Sequence, residues 1–219
     1  MTPRLYGHPF SSYTWKALIA FDEAQAPVEF VTLEPGANDK AAALATLHPL
    51  GRFPVLETED GTFWESSVIG EWAHLRARTV TGLIPNDPVR ALRTRERDRI
   101  FDGYVMTPMQ TVVADALRPE PHRDAVGVQR AKETLARIYD WLDGELAGTE
   151  HAAGDAFTLA DCSAAPSLFY ADWVLPVAGH DHLAAYLRRL RDRPSVRRVV
   201  EGARPFRAYF PLGIPAHAD

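Results

Sequence analysis

Three hydroxyl side chains follow one another where a helix is predicted to begin. Ser11, Ser12 and Tyr13 stand at the start of a segment whose apolar residues are spaced three and four apart over residues 15–22. A hydroxyl donor at a helix N-terminus stabilises a nearby anion through its hydrogen bond and through the positive end of the helix dipole. The alternative is simple capping, in which a serine oxygen accepts a hydrogen bond from a first-turn N–H. The segment is therefore a candidate site for stabilising a negatively charged nucleophile.

A second group of polar residues lies at the step from a predicted strand to a predicted helix. Glu65 can accept a hydrogen bond from an ammonium group, and Ser66 with the helix N-terminal amides can hold a carboxylate. Helix capping alone is the simpler interpretation of both residues. Phe53 and Pro54 lie shortly before them, and spacing alone predicts an ordinary trans bond there. Three further side chains are candidate partners for an anion or solvated surface charges: Lys40, His48 and Arg52.

The elements that would position these residues change character along the chain. The first part alternates short strands and helices: strands over residues 4–7, 28–33, 55–58 and 62–64, and helices over residues 11–23, 39–47 and 66–78. After a Pro-Asn-Asp-Pro segment at residues 85–88, only helices are predicted: residues 88–117, 125–146, 159–171, 183–193 and 195–204. Pro108 should kink the first of them. Thr158 and Asp161 form a predicted capping box, which is a folding device.

Composition excludes several classes of protein. The chain has 219 residues, 46% of them hydrophobic, and a formal net charge of −5, which disfavours disorder and nucleic-acid binding. Its single cysteine, Cys162, excludes an intrachain disulfide. No apolar run approaches the ~20 residues of a membrane span, and the first residues lack the apolar region of a signal peptide. The histidines show no metal-ligand spacing. We therefore expect a cytoplasmic protein that binds no metal, nucleic acid or membrane.

The order of elements and five short motifs resemble the cytosolic glutathione S-transferase family. The motifs stand in the family's order: residues 5–16 (LYGHPFSSYTWK), 51–56 (GRFPVL), 65–67 (ESS), 157–161 (FTLAD) and 193–196 (RPSV). The first resembles the active loop of serine-type members, and its Ser-Ser-x-x-Trp pattern is especially similar to the zeta class. The resemblance implies two domains and a linker: an α/β thioredoxin-like N-terminal domain (βαβαββα) at residues 1–80, a linker at residues 81–87, and an all-α C-terminal domain at residues 88–219.

The resemblance also implies a role for the first hydroxyl group. Ser11 matches the catalytic serine, which stabilises the thiolate of glutathione, the co-substrate. An ordinary cysteine thiol has a pKa near ~8.5 and is mostly protonated at neutral pH, so such stabilisation is needed. Ser12 and Tyr13 are the alternative donors. Family members with cysteine at the first position carry out redox chemistry, which serine cannot support.

Glutathione itself would bind through the second group of residues. The resemblance implies a cis bond between Phe53 and Pro54, which turns the Phe53 backbone towards the cysteinyl part of glutathione. It assigns Glu65 and Ser66 to the γ-glutamyl group. The partner of the glycine carboxylate stays open among Lys40, His48 and Arg52, because the last two depart from the commoner Asn-Pro-x-Gly-Lys pattern.

The implied activity is that of a homodimeric glutathione transferase of the detoxification type, whose thiolate attacks a small electrophile. Candidate residues for the electrophile pocket are apolar or amphipathic, with core or dimer contacts as the alternative: Phe10, Tyr104, Met106, Met109, Gln110, Val113 and Leu117. One alternative is a glutathione-dependent cis-trans isomerase of the maleylacetoacetate type, although Tyr13 stands where that class has cysteine. That class binds a dicarboxylate, for which Arg118 is a candidate. The other alternative is a non-catalytic binding module.

Overall fold

The computed structural model describes residues 2–33, 38–78 and 82–218, and for residues 38–41 and 43 it describes the backbone alone. In the described part, a mixed four-stranded sheet has the order β2-β1-β3-β4. Its strands are β1 (Arg4–Gly7), β2 (Glu29–Thr32), β3 (Val55–Thr58) and β4 (Gly61–Phe63). β1 runs parallel to β2 and antiparallel to β3, which pairs with β4 as a hairpin. This is the thioredoxin-like arrangement predicted from the order of elements.

The helices of this first part pack on the sheet. They are α1 (Ser12–Glu23), α2 (Asn38–Leu47) and α3 (Ser66–Leu75), so α3 ends three residues before its prediction. α1 begins where Ser11 caps it, and its residues Trp15 and Ile19 are buried in the main core. The end of β1 approaches α1 closely at Gly7, where an added Cβ would lie 2.6 Å from the Thr14 side chain. The close approach fixes the loop of residues 8–11 between β1 and α1.

The second part of the chain is helical. Its α-helices are α4 (Pro88–Ile100), α5 (Thr107–Ala116), α6 (Ala125–Glu145), α7 (Leu159–Asp172), α8 (Asp181–Asp192) and α9 (Pro194–Ala203). α7 is buried along its whole length and begins with the predicted capping box. The box includes a 2.8 Å hydrogen bond from the Thr158 N–H to the Asp161 carboxylate. α8 begins at Asp181, two residues before its predicted start at residue 183.

The predicted helix over residues 88–117 is divided in the structure. A π-helical segment, Phe101–Met106, separates α4 from α5. The Thr107 N–H donates to the Asp102 carbonyl five residues earlier, as in a π-turn. Pro108 has no N–H, and in a regular α-helix its ring would crowd the carbonyl four residues before it. The wider π-turn next to it relieves this conflict, so the simple kink expected at Pro108 is replaced by a change of helix type.

The two parts share one hydrophobic core. Trp15 of α1 packs against Phe169 and Tyr170 of α7, with ring centroids 5.0 and 5.1 Å apart. An ion pair joins the same two parts at the other end of α1, where Arg193 donates two hydrogen bonds to Glu23 at 2.7 and 2.6 Å. α1 is therefore fixed at both ends against the helical part. No helix in the described residues is long and apolar enough to cross a membrane.

Candidate functional site

The start of α1 presents its hydroxyl groups to a cavity. The Ser11 Oγ accepts a hydrogen bond from the Thr14 N–H at 3.3 Å, so Ser11 is the N-cap. This contact uses Ser11 as an acceptor, and its own O–H remains able to donate to a bound anion. Ser12 is the first residue of the helix and is buried. Capping and anion stabilisation are therefore compatible roles for Ser11.

A cavity of about 380 Å³, which we call the polar cavity, lies beside this helix start. Several predicted residues line it: Tyr13, His48, Arg52, Phe53, Pro54, Glu65 and Ser66. Four further lining residues were not predicted, and they come from α4, the π-helical segment and α5: Arg99, Asp102, Gly103 and Thr107. Two guanidinium groups and two carboxylates thus face one cavity, a pattern suited to a zwitterionic ligand. The peptide bond between Phe53 and Pro54 is cis, as the resemblance implied, and the trans bond expected from spacing alone is wrong.

Glu65 has an unusual backbone conformation. Its φ of 64° lies in the left-handed region, although it is not glycine. Such a conformation costs about 1–3 kcal/mol and is concentrated at functional sites. Its side chain makes no capping hydrogen bond to α3. Ser66 follows as the buried first residue of α3, beside the N-terminal amides of that helix. The carboxylate of Glu65 is thus positioned by a strained backbone next to an anion-binding helix end.

The three candidate cations have different surroundings. Arg52 is exposed at the edge of the polar cavity. His48 is buried, and its Nδ1 accepts a hydrogen bond from the Leu50 N–H at 3.0 Å. That hydrogen bond uses the lone pair of Nδ1. Lys40 belongs to α2, but its side chain lies outside the described residues.

A second cavity of about 310 Å³, which we call the apolar cavity, adjoins the first. The predicted residues that line it are Phe10, Ser11, Ser12, Tyr13, Phe53, Met109, Gln110, Val113 and Leu117. Four others were missed: Tyr170, Tyr209, Phe210 and Pro211. None of these described lining residues is Asp, Glu, Lys, Arg or His. The cavity is therefore suited to an uncharged apolar molecule, because transfer of an unpaired charge into such surroundings is costly.

Tyr13 and Phe53 line both cavities and so mark where the two meet. Burial is the main cause that raises the pKa of Tyr13 to about 12, and the nearby carboxylates of Asp102 and Glu65 add to this effect. Its hydroxyl therefore stays protonated and can only donate or accept a hydrogen bond at neutral pH. A reacting atom shared between the cavities would lie next to this pair of residues and close to Ser11.

Comparison with known proteins shows which family the chain belongs to. Models of the glutathione S-transferase N-terminal domain and C-terminal domain match residues 5–79 and 125–189. The chain belongs to the glutathione S-transferase family.

Individual members of the family resemble the chain over nearly its whole length. Glutathione S-transferase 3 of Zea mays is 29% identical over 208 residues, covering 90% of this chain and 92% of that protein. The GST-like protein YibF of Escherichia coli is also 29% identical, over an alignment that covers 90% of this chain and 97% of that protein. A Methylobacterium radiotolerans glutathione S-transferase, solved in complex with glutathione sulfonate, is 27% identical with a TM-score of 0.77, covering 91% and 94% of the two chains.

The structure does not bring every expected residue to the transferase cavities. Met106 is 1% exposed and packs in the main core, away from both cavities. Tyr104 is 57% exposed and lines neither cavity. Arg118 lies outside the apolar cavity and forms an ion pair with Asp115 at 3.3 Å. The expectation that these three residues help to form the substrate site is therefore wrong, because none of them lines either cavity.

Other chemistry-bearing groups of this family member lie elsewhere. Cys162 is fully buried, and burial raises the pKa of its thiol well above the ordinary value, so it stays protonated. Within the described ranges, no cluster of His, Cys, Asp or Glu could hold a metal ion. A cavity of about 830 Å³, larger than the polar and apolar cavities, lies between α1, β2 and α9 and contains none of the predicted site residues. Its size alone does not make it the site, because the hydroxyl and charged groups converge on the two smaller cavities.

Proposed function

We propose that this chain is a glutathione transferase, which activates the thiol of glutathione as a thiolate for attack on an uncharged electrophilic molecule. The observation that carries the proposal is the pair of adjoining cavities, one polar and one apolar, which share Tyr13 and Phe53. The printed names of its relatives and the glutathione sulfonate complex of one solved structure support glutathione as the co-substrate. The reaction joins the two ligands where the cavities meet.

Glutathione is proposed to occupy the polar cavity. Its two carboxylates and one ammonium group match the guanidinium groups of Arg52 and Arg99 and the carboxylates of Glu65 and Asp102. Glu65 accepts from the ammonium, and Ser66 with the α3 N-terminus holds the γ-glutamyl carboxylate. The Phe53 backbone pairs with the cysteinyl part as a strand would. Arg52 or Lys40 then serves the glycine carboxylate.

Ser11 is the proposed catalytic residue, which makes the enzyme a serine-type member. Its hydroxyl donates to the thiolate at the N-terminus of α1, where the helix dipole also favours negative charge. The Tyr13 O–H and the Ser12 O–H are the alternative donors. The similarity of the loop to the zeta class rests on the Ser11-Ser12-x-x-Trp15 pattern and stays a prediction.

The electrophile is proposed to be uncharged. A dicarboxylate, as an isomerase of the maleylacetoacetate type would need, lacks a cationic partner among the described residues of the apolar cavity. Burial of an unpaired carboxylate is expensive, so conjugation is favoured over that isomerisation.

The wider organisation follows the family. We propose a thioredoxin-like domain at residues 1–80, a linker at 81–87 and a helical domain at 88–219. Residues 79–81, at the proposed boundary, lie outside the described part of the chain. A cytoplasmic homodimer with a detoxification role is likewise proposed on family grounds.

The test compares turnover of glutathione with an aryl halide in the wild type and in Ser11→Ala, Ser12→Ala and Tyr13→Phe. Loss of an oriented donor to a developing anion lowers kcat by about 100-fold, and this loss is expected only for Ser11→Ala. Its rate should recover at alkaline pH, because the bound thiol then ionises without help. Binding of glutathione without turnover would favour the non-catalytic module. Turnover of the cis-dicarboxylate but not the aryl halide would favour the isomerase.

A further inference from the structure

A lysine side chain is buried directly behind the polar cavity. Lys16 of α1 is 1% exposed, and its Nζ lies 2.8 Å from Ser67 Oγ, 2.6 Å from Asp98 Oδ1 and 2.7 Å from Asp102 Oδ2. The ammonium group donates hydrogen bonds to Ser67 and Asp102, and it forms an ion pair with Asp98, whose Oδ1 accepts no hydrogen bond. The proposed mechanism assigns this buried charge no role.

The acceptors of Lys16 belong to elements that wall the γ-glutamyl end of the polar cavity. Ser67 lies in the first turn of α3, next to Ser66, and also donates to Asp98 at 2.7 Å. Asp102 lines the cavity from the π-helical segment, and Ser163 of α7 donates to its other oxygen at 2.8 Å. Lys16 thus ties the start of α3 to the helical domain at the place where the ligand binds.

Arg99 completes this cluster on the side of the cavity. Its guanidinium group donates hydrogen bonds to Ser67 and Asp102, the same two residues that Lys16 contacts from behind. The two cations balance the two carboxylates of Asp98 and Asp102. Loss of the ammonium would leave one negative charge in excess and would free Arg99 to move towards it.

Stability alone explains this cluster poorly. A buried ion pair is often no more stabilising than well-packed apolar side chains of the same volume, because each charge must lose its hydration. The chain also uses lysine rarely: Lys16, Lys40 and Lys132 are its lysines among 24 basic residues. A planar guanidinium group presents its donors in a fork, whereas the three oxygen atoms here converge on the single atom Nζ.

We infer that Lys16 is a positioning residue for the γ-glutamyl end of glutathione, and that it acts through Ser67 and Asp102. It fixes the first turn of α3, where Ser66 holds the γ-glutamyl carboxylate, and it fixes Asp102, which in turn holds Arg99 at the cavity. This inference rests on the proposed function and adds a residue that does not itself touch the ligand.

The experiment separates positioning from folding with two variants and a control. Lys16→Met removes the charge at similar volume, and Lys16→Met combined with Asp98→Asn restores the charge balance of the cluster. Lys132→Met of α6, which lines neither the polar nor the apolar cavity, is the matched control. For each protein we would measure Tm, the calorimetric Kd of glutathione, and kcat and KM for glutathione at saturating aryl halide.

The expected result is a split between stability and binding. Lys16→Met should lower Tm and raise the KM and Kd for glutathione by about tenfold, the effect of one charged hydrogen bond, with kcat changed much less. The double variant should regain most of the lost Tm but not the affinity, because the ammonium donor is still absent. Lys132→Met should match the wild type.

Three other outcomes would overturn the inference. If glutathione affinity returns together with Tm in the double variant, the role of Lys16 is structural only. If Lys16→Met binds glutathione as the wild type does, Lys16 has no positioning role, while the proposed function stands. A wild type that does not bind glutathione at all would overturn the proposed function and this inference with it.

Discussion

The contact between Glu23 and Arg193 offers a quantitative test of how the two parts of the chain are held together. Glu23 ends α1, and its carboxylate receives two hydrogen bonds from Arg193 and a short one from Ser195. The side chains are 16% and 32% exposed, so water screens the pair only in part. Burial alone would raise the pKa of Glu23, but the hydrogen bonds from Arg193 and Ser195 outweigh burial and hold that pKa below its ordinary value.

The perturbation is Glu23→Gln, which keeps the shape and removes the charge. A hydrogen bond to a charged group contributes about 1.5–3 kcal/mol, and loss of one partner of a fully buried pair costs about 3–5 kcal/mol. Since this pair is partly exposed, we expect a loss of about 2–3 kcal/mol in the free energy of unfolding. For a chain of this length, a loss of that size lowers Tm by about 4–12 °C.

Thermal and urea unfolding at several pH values provide the assay. Because the folded-state pKa of Glu23 is lowered, its stabilising contribution is present above the unfolded value of about 4.3 and is lost as pH falls through the folded pKa. The gap in stability between wild type and Glu23→Gln should therefore be wide at neutral pH and close in acid.

An exposed ion pair supplies the control. Glu96→Gln removes the partner of Arg93, where the side chains are 49% and 58% exposed, and should cost less than about 1 kcal/mol. Equal losses for Glu23→Gln and Glu96→Gln would refute the reasoning from burial. A gap between wild type and Glu23→Gln that stays constant down to the most acidic pH would refute the reasoning from the pKa.

Three shorter predictions concern other features. Asp161→Asn should lower the free energy of unfolding by about 2 kcal/mol in urea titrations, since the carboxylate accepts from the Thr158 N–H and from the Tyr186 hydroxyl at 2.6 Å; an unchanged midpoint would contradict this. Gly7→Ala should cost about 1–3 kcal/mol, because its Cβ would overlap the Thr14 side chain; wild-type stability would show that the approach of β1 to α1 relaxes freely. Met109→Ala should raise KM for an apolar electrophile by about tenfold and leave KM for glutathione unchanged; a parallel rise in both would place Met109 outside the electrophile pocket.

The sequence predicted the elements well where local signals were strong. The capping box at Thr158 and Asp161 and the start of α1 at Ser11 each have a side-chain pattern that acts within a few residues. Such patterns satisfy backbone groups of their own turn, and so they predict structure without knowledge of distant contacts.

The features that were missed depend on contacts between distant parts of the chain. Arg99 and Asp102 were not among the predicted site residues, because only the fold brings them to α3 and the polar cavity. The π-helical segment could not be predicted from helical periodicity, which assumes a rotation of about 100° per residue. Met106 has the chemistry of a pocket residue but is buried in the main core. Tyr209 and Phe210 follow the last predicted helix, and no local pattern connects them to the apolar cavity.

The π-helical segment has a consequence for redesign of the site. A π-turn holds one residue more than an α-turn, so everything after it is rotated by about 100° relative to an uninterrupted helix. Asp102 lies within the segment and Met109 after it, and the two residues line adjoining cavities. Deletion of Gly103 would remove the extra residue and should turn Met109 away from the apolar cavity while α4 keeps its place.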